Sequence, residues 1–467
     1  DALGSSSVGK KKQILIEYPS NNTHKEFHIG HFRNICIGNT LVELYKKSGY
    51  KPIPVNYLND FGAHVVRCLW GMEKFHAAEV PPDNKQKWLG DIYAEASGYA
   101  KTHADEVKVE LDLLQKKLES KDASIWPVFQ ETRQWSIDGI QKLFTELGVH
   151  HDTVFYESDI KDRGQKVVDE LMKKKIATIG EGGAIIVDLQ SENLGVALVR
   201  KSTGGGLYMT SDLALAEAKF KKYKKIVESI TITGSEQNQY FKQLFTVLKK
   251  NGFAKKMTHI GYGLVNTPEG KMASRAGNVL LYETLRDEVL QIFRDETSKR
   301  HADWGEEKIE TTARILALAT LKFTISKHEA EKVIVFDLKE ATSFEGFTAP
   351  YILYAVARIN SIHKKAQNMG EKINWSALKT PAEKKLLLLL SQYEEVVAKA
   401  LVNYNPSVIA KYCFDVAQGF NEFYNTHQVI NPDDAVVSAA RLKLCASARM
   451  VMTDALQILT IETVEEM

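Results

Sequence analysis

Short apolar runs alternate with helical periods over the first 265 residues of this chain, and helical periods alone fill the remainder. Residues 13–18 (QILIEY) form a strand-like run. After a loop at 19–27, a helical pattern runs from about 28 to 47 and stops at Ser48-Gly49. Residues 53–57 read as a second strand. Strand, loop, helix, strand is how a parallel α/β sheet begins. From about 63 to 148 the pattern is helical, including the charged stretch 104–121. Strand signals return at 185–189, 196–200, 225–233 and 258–264, with helices at about 211–222 and 236–251. All four are assigned here to the second half of one doubly wound parallel sheet. From about 281 to 467 almost no strand signal remains, and breaks near 348–350, 368–375 and 405–406 divide an all-helical region.

The expected organisation is a small, polar, flexible lead-in at 1–12 and an α/β domain at 13–265 with an insertion at roughly 63–150. A loop and helical stem at 266–345 and an all-helical domain at 346–467 complete it. A length of 467 residues suits two or three domains, and 44% apolar residues give each a core. The 61 basic and 59 acidic side chains nearly cancel, so a nucleic-acid surface has to come from local clustering. Lysine clusters at 10–12, 173–175, 221–225 and 249–256 are candidates, although each alone is more often a solvated helix end. Cys36, Cys68, Cys413 and Cys445 form no C-x-x-C pair, so neither a zinc knuckle nor a disulfide framework is indicated, and reduced thiols of an intracellular protein are expected. The leucine run 386–390 falls far short of the ~20 residues that span a bilayer, and no membrane partner is expected.

The chemistry concentrates in two places. His28-Ile29-Gly30-His31 follows a strand and a loop and opens a helix. A helix N-terminus offers unpaired N–H groups and partial positive charge, which favour phosphate. Two histidines one turn apart can both donate to one phosphoryl oxygen, and Gly30 leaves room for a flat base. Adenylyl transfer needs donors aimed in this way at charge developing on the α-phosphate. Histidines that merely cap a helix, or a metal pair with His24 as third ligand, are the alternatives at this point. The second place is Lys271-Met272-Ala273-Ser274-Arg275, in a Gly-bearing loop after a strand. A lysine there can neutralise the β- and γ-phosphates as pyrophosphate leaves.

In that order and on those elements, the two segments resemble the HIGH and KMSKS signatures of class I aminoacyl-tRNA synthetases. Further stretches resemble the arginyl branch: residues 20–28 (SNNTHKEFH), Asn59-Asp60-Phe61-Gly62, Glu157-Ser158, 208–214 (YMTSDLA), Gly234-Ser235-Glu236-Gln237, 347–362 (FTAPYILYAVARINSI) and 420–424 (FNEFY). The resemblance implies a Rossmann-type catalytic domain and an all-α anticodon-binding domain. It implies ATP as substrate with Mg²⁺, L-arginine and tRNA as partners, and a cytoplasmic monomer, with an organelle left open. Catalytic roles fall to Lys25, His28, His31 and Lys271, and ATP contacts to His28, Gly30, His31, Lys271, Met272 and Ser274. Arginine contacts fall to Ser20, Asn22, Glu157, Tyr208, Asp212 and Gln237. A guanidinium is a planar cation with five donors, so carboxylates and aromatic edges suit it. Without the resemblance, Glu157 reads as a surface acid, Asp212 as a helix-start acid and Tyr208 as a core aromatic.

The chain departs from the branch pattern at several positions. Asn21 and Glu26 replace prolines, and Ser274 replaces the second lysine of the phosphate loop. Lys25 is placed to substitute for that lysine, with Glu26 expected to weaken its field. Ser202-Thr203-Gly204 replaces a Ser-Asp-Gly turn, and Tyr240 stands where a histidine is often found. About a dozen residues precede the first strand, where most members carry a further domain. The alternatives to an enzyme of this kind are a non-catalytic synthetase-like tRNA-binding protein and a nucleotidyltransferase without tRNA.

Overall fold

A computed structural model describes residues 3–202, 207–268, 280–366 and 373–467. Lys271, Met272 and Ser274, with part of the Ser202-Thr203-Gly204 turn, lie outside the described residues. The first strand, β1 (Gln13–Glu17), pairs in parallel with β2 (Lys51–Leu58) across helix α1 (Ile29–Lys47). Helix α1 is buried on nearly every face because the sheet lies on one side and C-terminal helices on the other. It ends with Lys46 and Lys47 in its last turn, where cations suit the dipole, and Gly49 then takes a left-handed φ of 76°.

The insertion is four helices: α2 (Ala63–Phe75), α3 (Lys85–Thr102), α4 (Ala104–Glu119) and α5 (Trp126–Leu147). Phe61, Val65, Trp70, Leu118 and Phe129 give it a core of its own. Gly148, left-handed at φ 68°, stops α5 and turns the chain into β3 (Thr153–Tyr156), which pairs with β2. Helix α6 (Glu157–Lys173) follows, then β4 (Thr178–Ile179), β5 (Ile185–Asp188), β6 (Val196–Arg200) and α7 (Tyr208–Lys222). The sheet resumes with β7 (Ile226–Gly234), α8 (Asn238–Lys250) and β8 (Met257–Tyr262). Its order among the described residues is β3-β2-β1-β7-β8, all parallel. Strand order reverses between β1 and β7, where such sheets open a crevice at their carboxyl ends.

Two expectations are corrected. Residues 185–189 and 196–200 do not join the main sheet; β4, β5 and β6 form a separate antiparallel one. The five residues linking β4 to β5 and the seven linking β5 to β6 are too few for a parallel crossover, which takes a dozen or more. Strand β6 also alternates exposed and buried positions, whereas β1 is buried on both faces. The lead-in is not flexible over its described part. The Ser6 N–H donates to Lys47 O (3.0 Å), Gly9 N–H to Ser48 O (2.9 Å) and Lys11 N–H to Gly49 O (2.8 Å). These bonds satisfy carbonyls that the end of α1 leaves without intrahelical partners.

The rest is helical apart from a two-stranded link. Strand β9 (Val265–Asn266), α9 (Tyr282–Arg300) and α10 (Glu306–Ser326) lead to β10 (Ile334–Val335), which pairs with β9. Then come α11 (Leu338–Ala341), α12 (Ala349–Lys365), α13 (Pro381–Ser391), α14 (Tyr393–Val402), α15 (Pro406–Thr426) and α16 (Ala435–Ile458). Thr348 and Asn405 cap α12 and α15, each with proline in the first turn. One continuous apolar core runs from β1 and α1 through α9 and α10 to α16.

Arg33 ties these parts together. It is fully buried on α1 and donates to five carbonyls: Gly263 (2.8 Å), Leu264 (3.2 Å), Glu329 (3.1 Å), Ala330 (2.8 Å) and Lys332 (2.8 Å). Replacing it removes a donor from five carbonyls, of which Leu264 O, Glu329 O and Ala330 O keep a backbone N–H partner. Arg33→Met should therefore cost roughly 3 kcal/mol or more, seen as a lower urea midpoint. An unchanged midpoint would show that the loops hold without it.

Candidate active site

The carboxyl ends of β1, β2 and β7 open into a cleft of about 600 Å³. Its walls include Ser20 and Asn22 after β1, His28, His31 and Asn34 from α1, and Asn59 after β2. Tyr208 and Asp212 come from α7, and Gln237 and Tyr240 from the start of α8. Asn34 pins the reversal point by donating to Ile232 O (2.8 Å) and Pro19 O (3.3 Å).

The two histidines are arranged by the start of α1 itself. His28 is the N-cap residue, and its Nδ1 accepts from the Gly30 N–H (3.1 Å). The His31 Nδ1 accepts from the His28 N–H (3.3 Å). The rings stack with centroids 3.7 Å apart. With both Nδ1 atoms accepting, each neutral ring carries its proton on Nε2 as a donor. Burial pushes His28 down to about 4, helped by the Lys25 charge. Burial, His28 and Lys25 hold His31 well below the ordinary range. Both rings are therefore neutral donors at pH 7. A Cβ on Gly30 would stand 2.9 Å from His28 Cε1, so glycine is required to let the rings stack. His24 is no third metal ligand: its ring is engaged by Thr23 Oγ1 and Thr132 Oγ1, both at 2.9 Å.

Lys25 lies in the preceding loop, its Nζ 4.8 Å from the ring centre of Tyr93 on α3. Glu26 makes no ion pair with it among the described residues. Its side chain lies against α3, with Cγ 2.3 Å from where a Gly90 Cβ would be, and the charges that bear on it are Asp91, Lys87 and Glu283.

The floor of the cleft is acidic. Asp212 is reached by the Tyr240 hydroxyl, which donates to its Oδ2 at 2.5 Å. Burial raises Asp212 to about 6 even though the Tyr240 bond pulls the other way. Glu157, the first residue of α6, accepts from Ser211 Oγ at 3.4 Å, and its Oε2 is buried with no partner. Burial, with Asp212 and Asp60 nearby, raises it to about 8. Glu17 is spoken for by a buried ion pair with Lys219. The Tyr57 hydroxyl and Ser20 Oγ are also buried without partners. Tyr208 stands at the mouth, 63% exposed. Two carboxylates with raised affinity for protons, neither in an ion pair among the described residues, suit an incoming cation.

Sequence reasoning brought Ser20, Asn22, His28, His31, Tyr208, Asp212 and Gln237 to this cleft, with Glu157 behind Ser211. It had noted Tyr240 only as a departure and passed over Tyr57, Glu17 and Lys219. The chain re-enters the described residues at Leu280, beside the histidines: Leu280 O accepts from the Ile29 N–H (3.0 Å), and the Tyr282 N–H donates to Phe27 O (3.2 Å).

A parallel sheet with paired histidine donors at its reversal point defines a nucleotide-activating α/β enzyme. Residues 1–338 match the family described as "tRNA synthetases class I (R), catalytic domain", and residues 352–467 match "DALR anticodon binding domain". An arginine–tRNA ligase of Bdellovibrio bacteriovorus is 33% identical over 98% of this chain and 80% of its own length. One from Clostridium botulinum is 34% identical over 100% of the chain and 82% of its own. In fold, the chain resembles Thermus thermophilus arginyl-tRNA synthetase, with TM-score 0.83 at 22% identity over 98% of this chain and 83% of that one. It also resembles the Plasmodium falciparum enzyme, with TM-score 0.79 at 22% identity over 99% and 78%. The chain belongs to the class I tRNA synthetases, in their arginine branch.

The acidic floor has a pH signature. A bound guanidinium favours ionised Glu157 and Asp212, so binding expels protons that the empty site holds below about pH 8 and pH 6. Affinity for arginine should rise from pH 6 to 8, by up to about tenfold per pH unit for each coupled proton. Calorimetry in buffers of different ionisation enthalpy reads the proton release directly. Tyr240→Phe should move the Asp212 step to higher pH. A flat affinity with no proton release would contradict the assignment of these carboxylates.

Proposed function

We propose that this chain activates L-arginine with ATP to arginyl-adenylate and pyrophosphate, then transfers the arginyl group to the 3′ end of tRNA. What carries this reading is one cleft that holds two neutral imidazole donors beside half-buried carboxylates that no ion pair among the described residues engages. The arginine carboxylate attacks the α-phosphate in line, and the bond to the β-phosphate breaks. His28 and His31, with the end of α1, donate to the oxygen on which charge develops. Gly30 keeps the helix start open to the nucleotide. Lys25 and Lys271 hold the departing pyrophosphate, and Met272 and Ser274 of the same motif contact ATP. Glu157 and Asp212 hold the guanidinium, Tyr208 closes over it, and Ser20, Asn22 and Gln237 bind the α-amino and carboxylate end. Mg²⁺, if bound with ATP, would supply charge neutralisation for the phosphates that Lys25 and Lys271 hold.

The helical region from about 346 takes the anticodon arm, consistent with the anticodon-binding family that matches residues 352–467. Of the two tyrosines on α12, Tyr351 packs half-buried on Phe414, ring centres 5.4 Å apart. Tyr354 is exposed, with the Arg358 guanidinium 4.7 Å from its ring and 4.9 Å from that of Tyr424. That sandwich suits a splayed base, so Tyr354 is the better stacking residue. Identity across almost the whole chain with arginine–tRNA ligases favours catalysis over tRNA binding alone. Among the described residues no helix is long and apolar enough to cross a membrane. A cytoplasmic monomer is the reading adopted.

Pyrophosphate exchange with arginine and ATP, with and without tRNA, tests the assignment. Exchange dependent on arginine is expected; tight tRNA binding with no exchange under any condition would leave only an RNA-binding role. His31→Ala should lower turnover by about 10²–10³-fold. Asp212→Asn should weaken arginine far more than ATP, and equal losses would deny it the guanidinium.

A further inference from the structure

The cleft has one face of the sheet on one side and α7 and α8 on the other. On the sheet side, the parallel registers pair Glu17 of β1 with Val55 of β2 and with Thr231 of β7. Strand alternation then puts Tyr57, two residues beyond Val55, on that same face and nearer the carboxyl end. Glu17, Tyr57 and Thr231 line the cleft from the sheet, and Tyr208 and Asp212 line it from α7. The register of β2 with β3 sets Tyr57 opposite Phe155, two residues before Glu157. Tyr57 thus shares the cleft with Asp212 and stands one strand away from Glu157. We propose that the Tyr57 hydroxyl accepts a hydrogen bond from the guanidinium of bound arginine, making Tyr57 an arginine-binding residue supplied by the sheet. The inference rests on the synthetase reading for the identity of the cation.

The hydroxyl is uncommitted in the free protein. Tyr57 is 5% exposed, and its Oη is sealed from solvent with no hydrogen-bond partner. The groups that bear on it are engaged elsewhere. The Tyr240 hydroxyl donates to Asp212 Oδ2, and Ser211 Oγ gives its proton to Glu157 Oε1 (3.4 Å). Burial, with Glu157 and Asp212 nearby, holds the Tyr57 phenol well above its ordinary range, so it is neutral at pH 7. The incoming cation, for its part, has donors to spare. A guanidinium presents five N–H groups. Asp212 has Oδ1 uncommitted among the described residues and Glu157 has Oε2, while Glu17 is paired with Lys219. A further acceptor on the sheet side lets a planar cation bond along more than one edge, which a compact ammonium with three donors does not need. Because the hydroxyl is already out of water, a bond made to it on binding displaces no solvent, and the gain is larger for that reason.

The test compares the full chain with Tyr57→Phe, which removes one oxygen and keeps the packed ring. Calorimetric titration at pH 8 with L-arginine, and separately with ATP, reads affinity, and urea unfolding without ligand reads stability. Arginine should bind about tenfold or more weakly, the scale of one hydrogen bond to a charged group, with ATP affinity within twofold of the parent. A buried hydroxyl without a partner contributes nothing to folding, so the urea midpoint should be unchanged or higher in the variant. A hydroxyl that only holds the strand in place predicts the reverse, a lower midpoint with arginine affinity retained, and that pattern overturns the proposal. Equal losses for arginine and ATP overturn it too, since they mark a disturbed cleft rather than a lost contact. A parent chain that binds ATP but no arginine sinks the synthetase reading and this proposal together. Arginine binding by the parent that persists within twofold in Tyr57→Phe sinks this proposal alone.

Discussion

The position of α1 is the constraint on which the rest of this molecule depends. A helix buried on almost all sides has few polar groups with which to be located, and here two do it. The Arg33 guanidinium binds the chain segments after β8 and before β10. Next to it, the Asn34 amide binds backbone on both sides of the sheet's reversal point. Buried carbonyls left without donors are expensive, so α1 cannot slide or rotate without losing several bonds together. Its N-terminus is therefore held over the crevice, and the His28 and His31 rings with it.

Charge is sorted within the site. Carboxylates lie deep, where burial keeps their proton affinity high until a cation comes. The Lys25 ammonium lies on the loop before α1, over the Tyr93 ring. The histidines between them are neutral and serve as donors rather than charges. A zwitterionic amino acid with a cationic side chain and a polyanionic nucleotide would each meet the complementary end. The Glu17–Lys219 pair beneath shows the contrast, since a carboxylate already matched with an ammonium has nothing to offer a ligand.

Much of the architecture was legible in the chain. The β1–loop–α1 opening, the helical insertion, β7 and β8, and the helical C-terminal half all lie close to where periodicity put them. The errors have separate causes. Val196 and Leu198 are apolar yet exposed, at 45% and 43%, so β6 looked like a strand buried on both faces. The four-residue β3 was missed because so short a run carries little signal of its own. The lead-in looked flexible because its composition is polar, although its backbone N–H groups are what the end of α1 needs.

The chain by itself determined the helix-start chemistry at residues 28–31. An N-cap, its glycine and a ring one turn on are set by bonds within four residues, so local sequence suffices to specify them. Tertiary structure alone decided which side chains surround that centre. Tyr240 reaches Asp212 across 28 residues, Tyr93 reaches Lys25 across α1, β2 and α2, and Arg33 spans nearly 300 positions to the loop after α10. Such contacts depend on strand order and helix packing, which no local pattern encodes.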